Sequence, residues 1–216
     1  MLISLVTASV IGIAAWGWKD NIANLIDKIW IWEWGSQTFH TIGEVLGVFL
    51  IVAIGFILYK HIVMALSAPF MSPVSEKIEA HITGVSHSHR KTSFMSQLWR
   101  GIRINVRNLL MELFLSIPIL LLSLIPLVNI LTTPLLFLVQ SYYAGFGNMD
   151  YTLERHYSYS ESLPFVRKHS GVATGNGIVF MAMLIIPVIG IILVLPLSVT
   201  AATTETLRLI HSEKKS

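Results

Sequence analysis

The chain has 216 residues, of which 54% are hydrophobic and only 12% are charged. A soluble domain carries about 25% charge, so this composition, with a mean hydropathy of +0.68, excludes an ordinary soluble globular domain. Disorder needs low hydrophobicity and high net charge and is excluded as well. What remains is an integral membrane protein.

Long stretches without Asp, Glu, Lys or Arg include residues 1–18, 45–59, 113–149 and 169–204. The first two have about the length of one helical crossing, which takes roughly 20 apolar residues. The last two, of 37 and 36 residues, are too long for one helix and suit a hairpin each. The chain has no cysteine, so neither disulfides nor thiolate chemistry enter.

Residues 1–18 lack a basic n-region and a small-residue cleavage pattern, so they read as a first transmembrane helix and not as a signal peptide. Residues 19–44 hold two basic and four acidic side chains, whereas 60–108 hold seven basic and two acidic ones. The positive-inside rule places 19–44 outside and 60–108 in the cytoplasm. Five of the six tryptophans lie between 16 and 34, as an interfacial belt requires. Ile22, Leu25, Ile26, Ile29 and Trp30 there fall at helical spacing, which predicts a helix lying in the outer interface.

The second transmembrane helix is expected over 45–66. It should break at Ser67-Ala68-Pro69-Phe70, because the residue before a proline resists the helical region. A basic segment, 67–108, follows. Its second half, from Phe94, places Met95, Leu98, Trp99, Ile102, Val106 and Leu109 on one face and Arg100, Arg103 and Arg107 on another. That pattern predicts an amphipathic helix on the membrane surface.

The two long uncharged stretches repeat one another. Leu124-Ile125-Pro126-Leu127-Val128-Asn129 and Ile185-Ile186-Pro187-Val188-Ile189-Gly190 share the order Ile-Pro-apolar-apolar-(Asn or Gly), and a second proline follows eight and nine residues after the first. This is an internal repeat. Proline followed by Asn or Gly is a turn signal, so each stretch should enter, turn at Pro126 or Pro187, and return. Hairpins are expected over 109–149 and 178–204, with a cytoplasmic segment over 150–177 and a tail over 205–216. The apolar arms are short, so the hairpins read as re-entrant and partly inserted; a plain crossing at 178–199 is the alternative. The fold class is thus an all-α membrane domain with two long transmembrane helices and two re-entrant hairpins.

No catalytic motif is present, and an enzyme is not expected. His87-Ser88-His89 with His81 nearby has the composition of a metal site but equally of a polar loop, and neither metal nor cofactor is expected. Glu76 and Glu79 read as capping groups or as partners of nearby basic residues. The arginines have two readings. Arg100, Arg103 and Arg107 contact lipid phosphates, or they gather anions, since guanidinium groups bind oxyanions bidentately. In the second reading Asn129 and Gly190, where returning helices begin, add helix N-termini that attract anions at the hairpin tips. For Asn129 the simpler role is to cap its helix.

The spacing Ala68-Pro69-Phe70, Glu76, Glu79, Gly84, the two Ile-Pro tips, Asp150-Tyr151 and Gly175-Asn176-Gly177 resembles the CysZ sulfate permease and etoposide-induced-protein family over nearly the whole chain. The resemblance implies a bacterial inner-membrane, multi-pass homo-oligomer in contact with membrane lipids, taking up sulfate and binding no nucleic acid. A non-transporting structural or homeostatic membrane protein of the same fold is the alternative. The family's Gly-x-Arg-Arg turn, to which its sulfate site is assigned, has no counterpart in this sequence.

Overall fold

The structure, a computed structural model, describes residues 3, 6, 7, 9, 10, 13, 36–85, 93–123, 125–186 and 189–214. The interfacial tryptophan segment, the loop histidines His87 and His89, and Pro187 lie outside the described residues. Every described element is helical: α1 (Ser36–Thr83), α2 (Phe94–Leu122), α3 (Pro126–His156), α4 (Tyr159–Lys168), α5 (Ser170–Leu184) and α6 (Ile189–Glu213). Residues 61–216 form one compact unit and 2–60 another. In the smaller unit, positions 3, 6, 7, 9, 10 and 13 and the first half of α1 are helical. All packing described below belongs to the larger unit.

Three sequence expectations are corrected. α1 does not break at Ser67-Ala68-Pro69-Phe70 but carries Pro69 and Pro73 inside it. A proline in a helix frees the carbonyl four residues earlier, here that of Ala65. Gly101 of α2 sits directly against this region: a Cβ there would lie 2.5 Å from Ala68 Cβ and 3.0 Å from Ala65 O. The bare Cα of Gly101 can therefore approach the freed carbonyl, where a weak Cα–H contact is available. The helix ends instead at Gly84, whose φ of +70° and N–H bond to Ala80 O at 3.0 Å form a left-handed cap.

Second, the arginine-bearing stretch is not a separate surface helix. It continues without interruption into the first apolar arm as α2, 29 residues long, started by Ser93, whose hydroxyl accepts from Ser96 N–H at 3.2 Å. The face that α2 buries is not the expected apolar one but Gly101, Ile104, Asn105, Asn108, Glu112, Ser116 and Leu120. Met95, Trp99, Val106, Leu110 and Phe114 are exposed.

Third, Pro126 does not sit in mid-turn. Ser123 and Ile125 lie between the helices, and Pro126 is the first residue of α3, where its missing N–H costs nothing. Asn129 is therefore the fourth residue of α3 and caps nothing. It is exposed, and its Oδ1 accepts from Thr133 Oγ1 at 2.8 Å. In the second repeat the returning helix α6 starts at Ile189, with Gly190 its second residue. Its tail runs on in helical form to Glu213.

α3 is the central helix. It packs on α2, α5, α6 and α4, and residues 143–155 are buried throughout. The tightest crossing is with α5. A Cβ on Gly145 would lie 1.8 Å from Ala173 O, and one on Gly177 1.7 Å from Ser141 O. Ser141, Gly145, Ala173 and Gly177 thus form reciprocal small-xxx-small steps, the means by which helices approach closely in lipid. Gly175, two residues away, has nothing within 4 Å.

Four helical stretches, Ile57–Thr83, Phe94–Leu122, Leu127–His156 and Leu193–Glu213, are long and apolar enough to cross a membrane. The larger unit buries polar side chains beside its apolar core and exposes large apolar ones: Asn105, Asn108, Glu112, Asn148, Thr152 and Thr203 are at most 3% exposed, whereas Leu127, Leu131 and Phe114 are more than 70% exposed. Water would not tolerate such a surface, and lipid requires it.

Candidate functional site

Buried polar and charged side chains in a membrane protein are costly unless paired, and they mark functional regions. Here they collect in three groups, two on α3 and one between α1 and α2.

The first joins α2 to α3. Arg100 donates from Nε to Asp150 Oδ2 at 3.0 Å and from Nη2 to Oδ1 at 2.7 Å. Its Nη1 reaches Tyr157 O at 2.8 Å and its Nη2 also reaches Ser162 Oγ at 2.7 Å. Four hydrogen bonds thus engage a group with five donors. Ser162 is held in place because α4 begins with a capping box, in which Glu161 accepts from Ser158 N–H at 2.8 Å. Asp150, noted in the sequence as part of a family-like motif, is therefore the carboxylate that neutralises Arg100.

The second group joins α1 to α3. Glu79 accepts from Arg155 Nε at 2.9 Å and lies 2.8 Å from His156 Nε2. Arg155 Nη2 donates to Ser75 Oγ at 2.8 Å, and its Nη1 donates to Tyr151 O at 2.8 Å. A hydroxyl ladder extends the group to α6: Ser75 and Thr152 are 2.9 Å apart, and Thr152 donates to Thr203 at 3.0 Å. Tyr151 donates to Met64 O at 2.6 Å. Glu79 behaves as expected, pairing with basic residues, whereas Glu76 is half-buried in the preceding turn. Phe70 is exposed and meets Phe94 edge-on at 6.1 Å.

The third group joins α1 to α2. His61 Nε2 is 2.9 Å from Glu112 Oε2, and His61 Nδ1 is 3.2 Å from Asn105 Oδ1. Asn105 Nδ2 donates to Gly101 O at 2.9 Å. That bond fixes the amide, so Oδ1 faces His61, and Nδ1 must carry a proton. The short contact to Glu112 then needs one more proton, either on Nε2 or on the carboxyl. The pair is neutral overall in both forms.

Asn105, Asn108, Glu112 and Ser116 fall at i, i+3, i+7 and i+11 and form a buried polar stripe along α2. Asn108 Oδ1 accepts from Arg107 Nη1 at 2.9 Å. Asn108 Nδ2 and Ser116 Oγ are buried without a hydrogen-bond partner.

Of the three sequence-named arginines, Arg100 is separated from the other two, which line one groove. Arg100 turns inward to Asp150. Arg103 is exposed and lies 3.8 Å over the Tyr159 ring. Arg107 is half-buried, 5.3 Å over Phe146. Asn129 and Gly190 lie at the tips, at the start of the returning helices and apart from the arginines along the chain. Sequence reading passed over His61, Asn105 and Glu112, and met Arg155 only as the end of the family-like run that starts at Asp150. The stripe on α2 had a legible signal, polar residues at helical period next to an apolar run; His61 had none. Among the described residues no group of three His, Cys, Asp or Glu could hold a metal ion.

A helical bundle with a paired ionic core and a lipid-facing apolar surface defines a multi-pass membrane protein. A family model described as sulfate transporter CysZ/etoposide-induced protein 2.4 matches residues 1–195, and the chain belongs to that family. Relatives named sulfate transporter CysZ occur in Pseudomonas aeruginosa, 27% identical over 159 residues covering 72% of this chain and 64% of the relative. Those of Pseudomonas syringae pv. tomato (30% over 158 residues, 71% and 62%) and Pseudomonas fluorescens (30% over 142 residues, 64% and 56%) are similar. The matched stretch spans less than two thirds of each relative's length. These relatives are named as transporters, not enzymes.

Proposed function

We propose that the chain carries an inorganic oxyanion, sulfate, across the bacterial inner membrane. The observation that supports this most is the family match over residues 1–195. The proposed path is the buried polar stripe of α2. Its Asn108 amide and Ser116 hydroxyl are unspent, and an oxyanion is a ligand such groups can receive. Arg107, already bonded to Asn108, supplies positive charge beside the stripe. His61 keeps Glu112 neutralised, so the stripe does not repel an anion.

The proposed topology keeps both hairpins re-entrant, with the charged end of the bundle cytoplasmic. Support comes from the first tip, where Ile125, Leu127, Ile130 and Leu131 are all more than half exposed and no charge occurs between Glu112 and Asp150. A fully crossing hairpin would put that tip in water. α5, with 15 residues, is about 22 Å long at 1.5 Å per residue, short of the roughly 30 Å hydrocarbon core.

The test is radiolabelled sulfate uptake into proteoliposomes. Flux above empty vesicles is expected; its absence in vesicles that contain correctly folded protein overturns transport and favours a structural membrane role.

A further inference from the structure

A second site lies on the outward face of α2 and meets the polar stripe at Arg107 alone. A groove of about 420 Å³ is lined by Trp99, Ile102, Arg103, Val106, Arg107 and Tyr159, among others. Its arginines differ from Arg100 and Arg155. Among the described residues, neither Arg103 nor Arg107 has a carboxylate within ion-pair distance, whereas Arg100 and Arg155 do. Both are nevertheless held: Arg103 by the Tyr159 ring at 3.8 Å, Arg107 by Asn108 and by the Phe146 ring at 5.3 Å. Aromatic stacking orients a guanidinium and leaves its N–H edge free to bind an oxyanion.

We propose that this groove is a binding site for one anionic phospholipid, with the phosphate between Arg103 and Arg107 and an acyl chain along Val106, Leu110 and Met111. Three observations fix the occupant as a lipid. The groove opens on a surface whose neighbouring side chains, Trp99, Val106, Leu110 and Phe114, are exposed and apolar. The polar ends lie near the bundle end that carries the ionic groups, with Tyr159 at the start of α4. From there the apolar wall runs towards the tip, and residues 99–111 extend about 18 Å at 1.5 Å per residue, room for a headgroup and the upper part of a chain. Trp99, exposed one turn before Arg103, is a residue of the kind that sits at headgroup level. Charge complementarity selects an anionic over a zwitterionic headgroup, because no protein carboxylate neutralises the two arginines. The site does not depend on the transport reading.

The purified full-length chain, equilibrated in detergent with equal phosphatidylglycerol and phosphatidylcholine, is released into a native mass spectrometer and its lipid adducts counted. With about 1 kcal/mol per arginine near a membrane surface, hence about fivefold each, phosphatidylglycerol should be preferred about 25-fold. Arg103→Gln should lower that preference to about fivefold with circular dichroism unchanged. Arg208→Gln, at an arginine whose side chain is 80% exposed on α6, should leave the preference intact. Equal retention of the two lipids, or equal losses from both substitutions, overturns the site. So does displacement of the lipid by stoichiometric glycerol 3-phosphate, which would mean that the acyl wall contributes nothing.

Discussion

Arg100 and Asp150 hold each other through two parallel N–H···O bonds of 3.0 and 2.7 Å, joining α2 to α3 across 50 residues of sequence. Their side chains are 14% and 7% exposed. Removing one partner of a buried pair leaves an uncompensated charge. Asp150→Ala should therefore cost about 3–5 kcal/mol, read as a fall in the thermal midpoint of the purified protein in detergent. The double variant Arg100→Leu/Asp150→Leu should recover much of that loss. Additive losses in the double variant would show that the two residues act separately.

The α3–α5 crossing gives a contrast between two glycines two positions apart. Gly177→Ala drives a methyl into the Ser141 carbonyl, whereas Gly175→Ala meets nothing within 4 Å. The first should lower stability by at least the roughly 1–3 kcal/mol typical of overpacking. The second should be neutral or raise stability by about 1 kcal/mol through helix propensity. Parallel melting curves decide it, and equal effects would contradict the crossing.

The His61–Glu112–Asn105 arrangement predicts an asymmetry. His61→Ala removes the ring that lies 2.9 Å from the buried Glu112 carboxyl and should cost about 1–3 kcal/mol. Glu112→Gln should cost far less, because the Gln amide can donate to Nε2 of a neutral imidazole that still donates from Nδ1 to Asn105. Nitrogen-15 shifts of His61 in the Gln variant should report a protonated Nδ1. A protonated Nε2 tautomer would refute the assignment.

Ser116 separates transport from folding. Its hydroxyl is buried and unpartnered, so Ser116→Ala removes a desolvated group and should leave stability equal or higher by about 1 kcal/mol. If the stripe carries the anion, the same change removes a contact to a charged group, worth about 1.5 kcal/mol or roughly tenfold in sulfate flux. Unchanged flux with unchanged stability would move the path away from α2.

The absence of cysteine provides a clean background for topology. Cysteine at Leu127, 83% exposed beside the first tip, should resist a membrane-impermeant maleimide added to either side of oriented vesicles, since a re-entrant tip stays in hydrocarbon. Labelling from the side opposite Ser216 would indicate a full crossing.

Much of the architecture was legible without coordinates. A charge content of 12% and uncharged runs of 37 and 36 residues suffice for an all-helical membrane protein, because hydrocarbon admits neither unpaired backbone nor unpaired charge. The Ile-Pro repeat located the turn within a few residues, since proline tolerates few positions and the first turn of a helix is one of them. Gly84 ended a helix for a similarly local reason.

What the sequence misjudged was which way each face points and which charges meet. Ala68-Pro69-Phe70 read as a break because the rule for prolines is local. The helix passes through it because Gly101, from another helix, covers the freed carbonyl. The arginine face of α2 read as one patch because periodicity places Arg100, Arg103 and Arg107 near one another on a single cylinder. Tertiary packing divides them, giving Arg100 to Asp150 and leaving Arg103 to Tyr159 at the surface. Length, apolar runs and repeats are properties of a segment and its solvent, and the sequence determined those by itself. The pairing of His61 with Glu112, of Arg155 with Glu79 and of Gly145 with Ala173 depends on which helices become neighbours. That was decided only in the folded bundle, where the cost of an unpaired buried charge or a misplaced methyl selects one packing over the others.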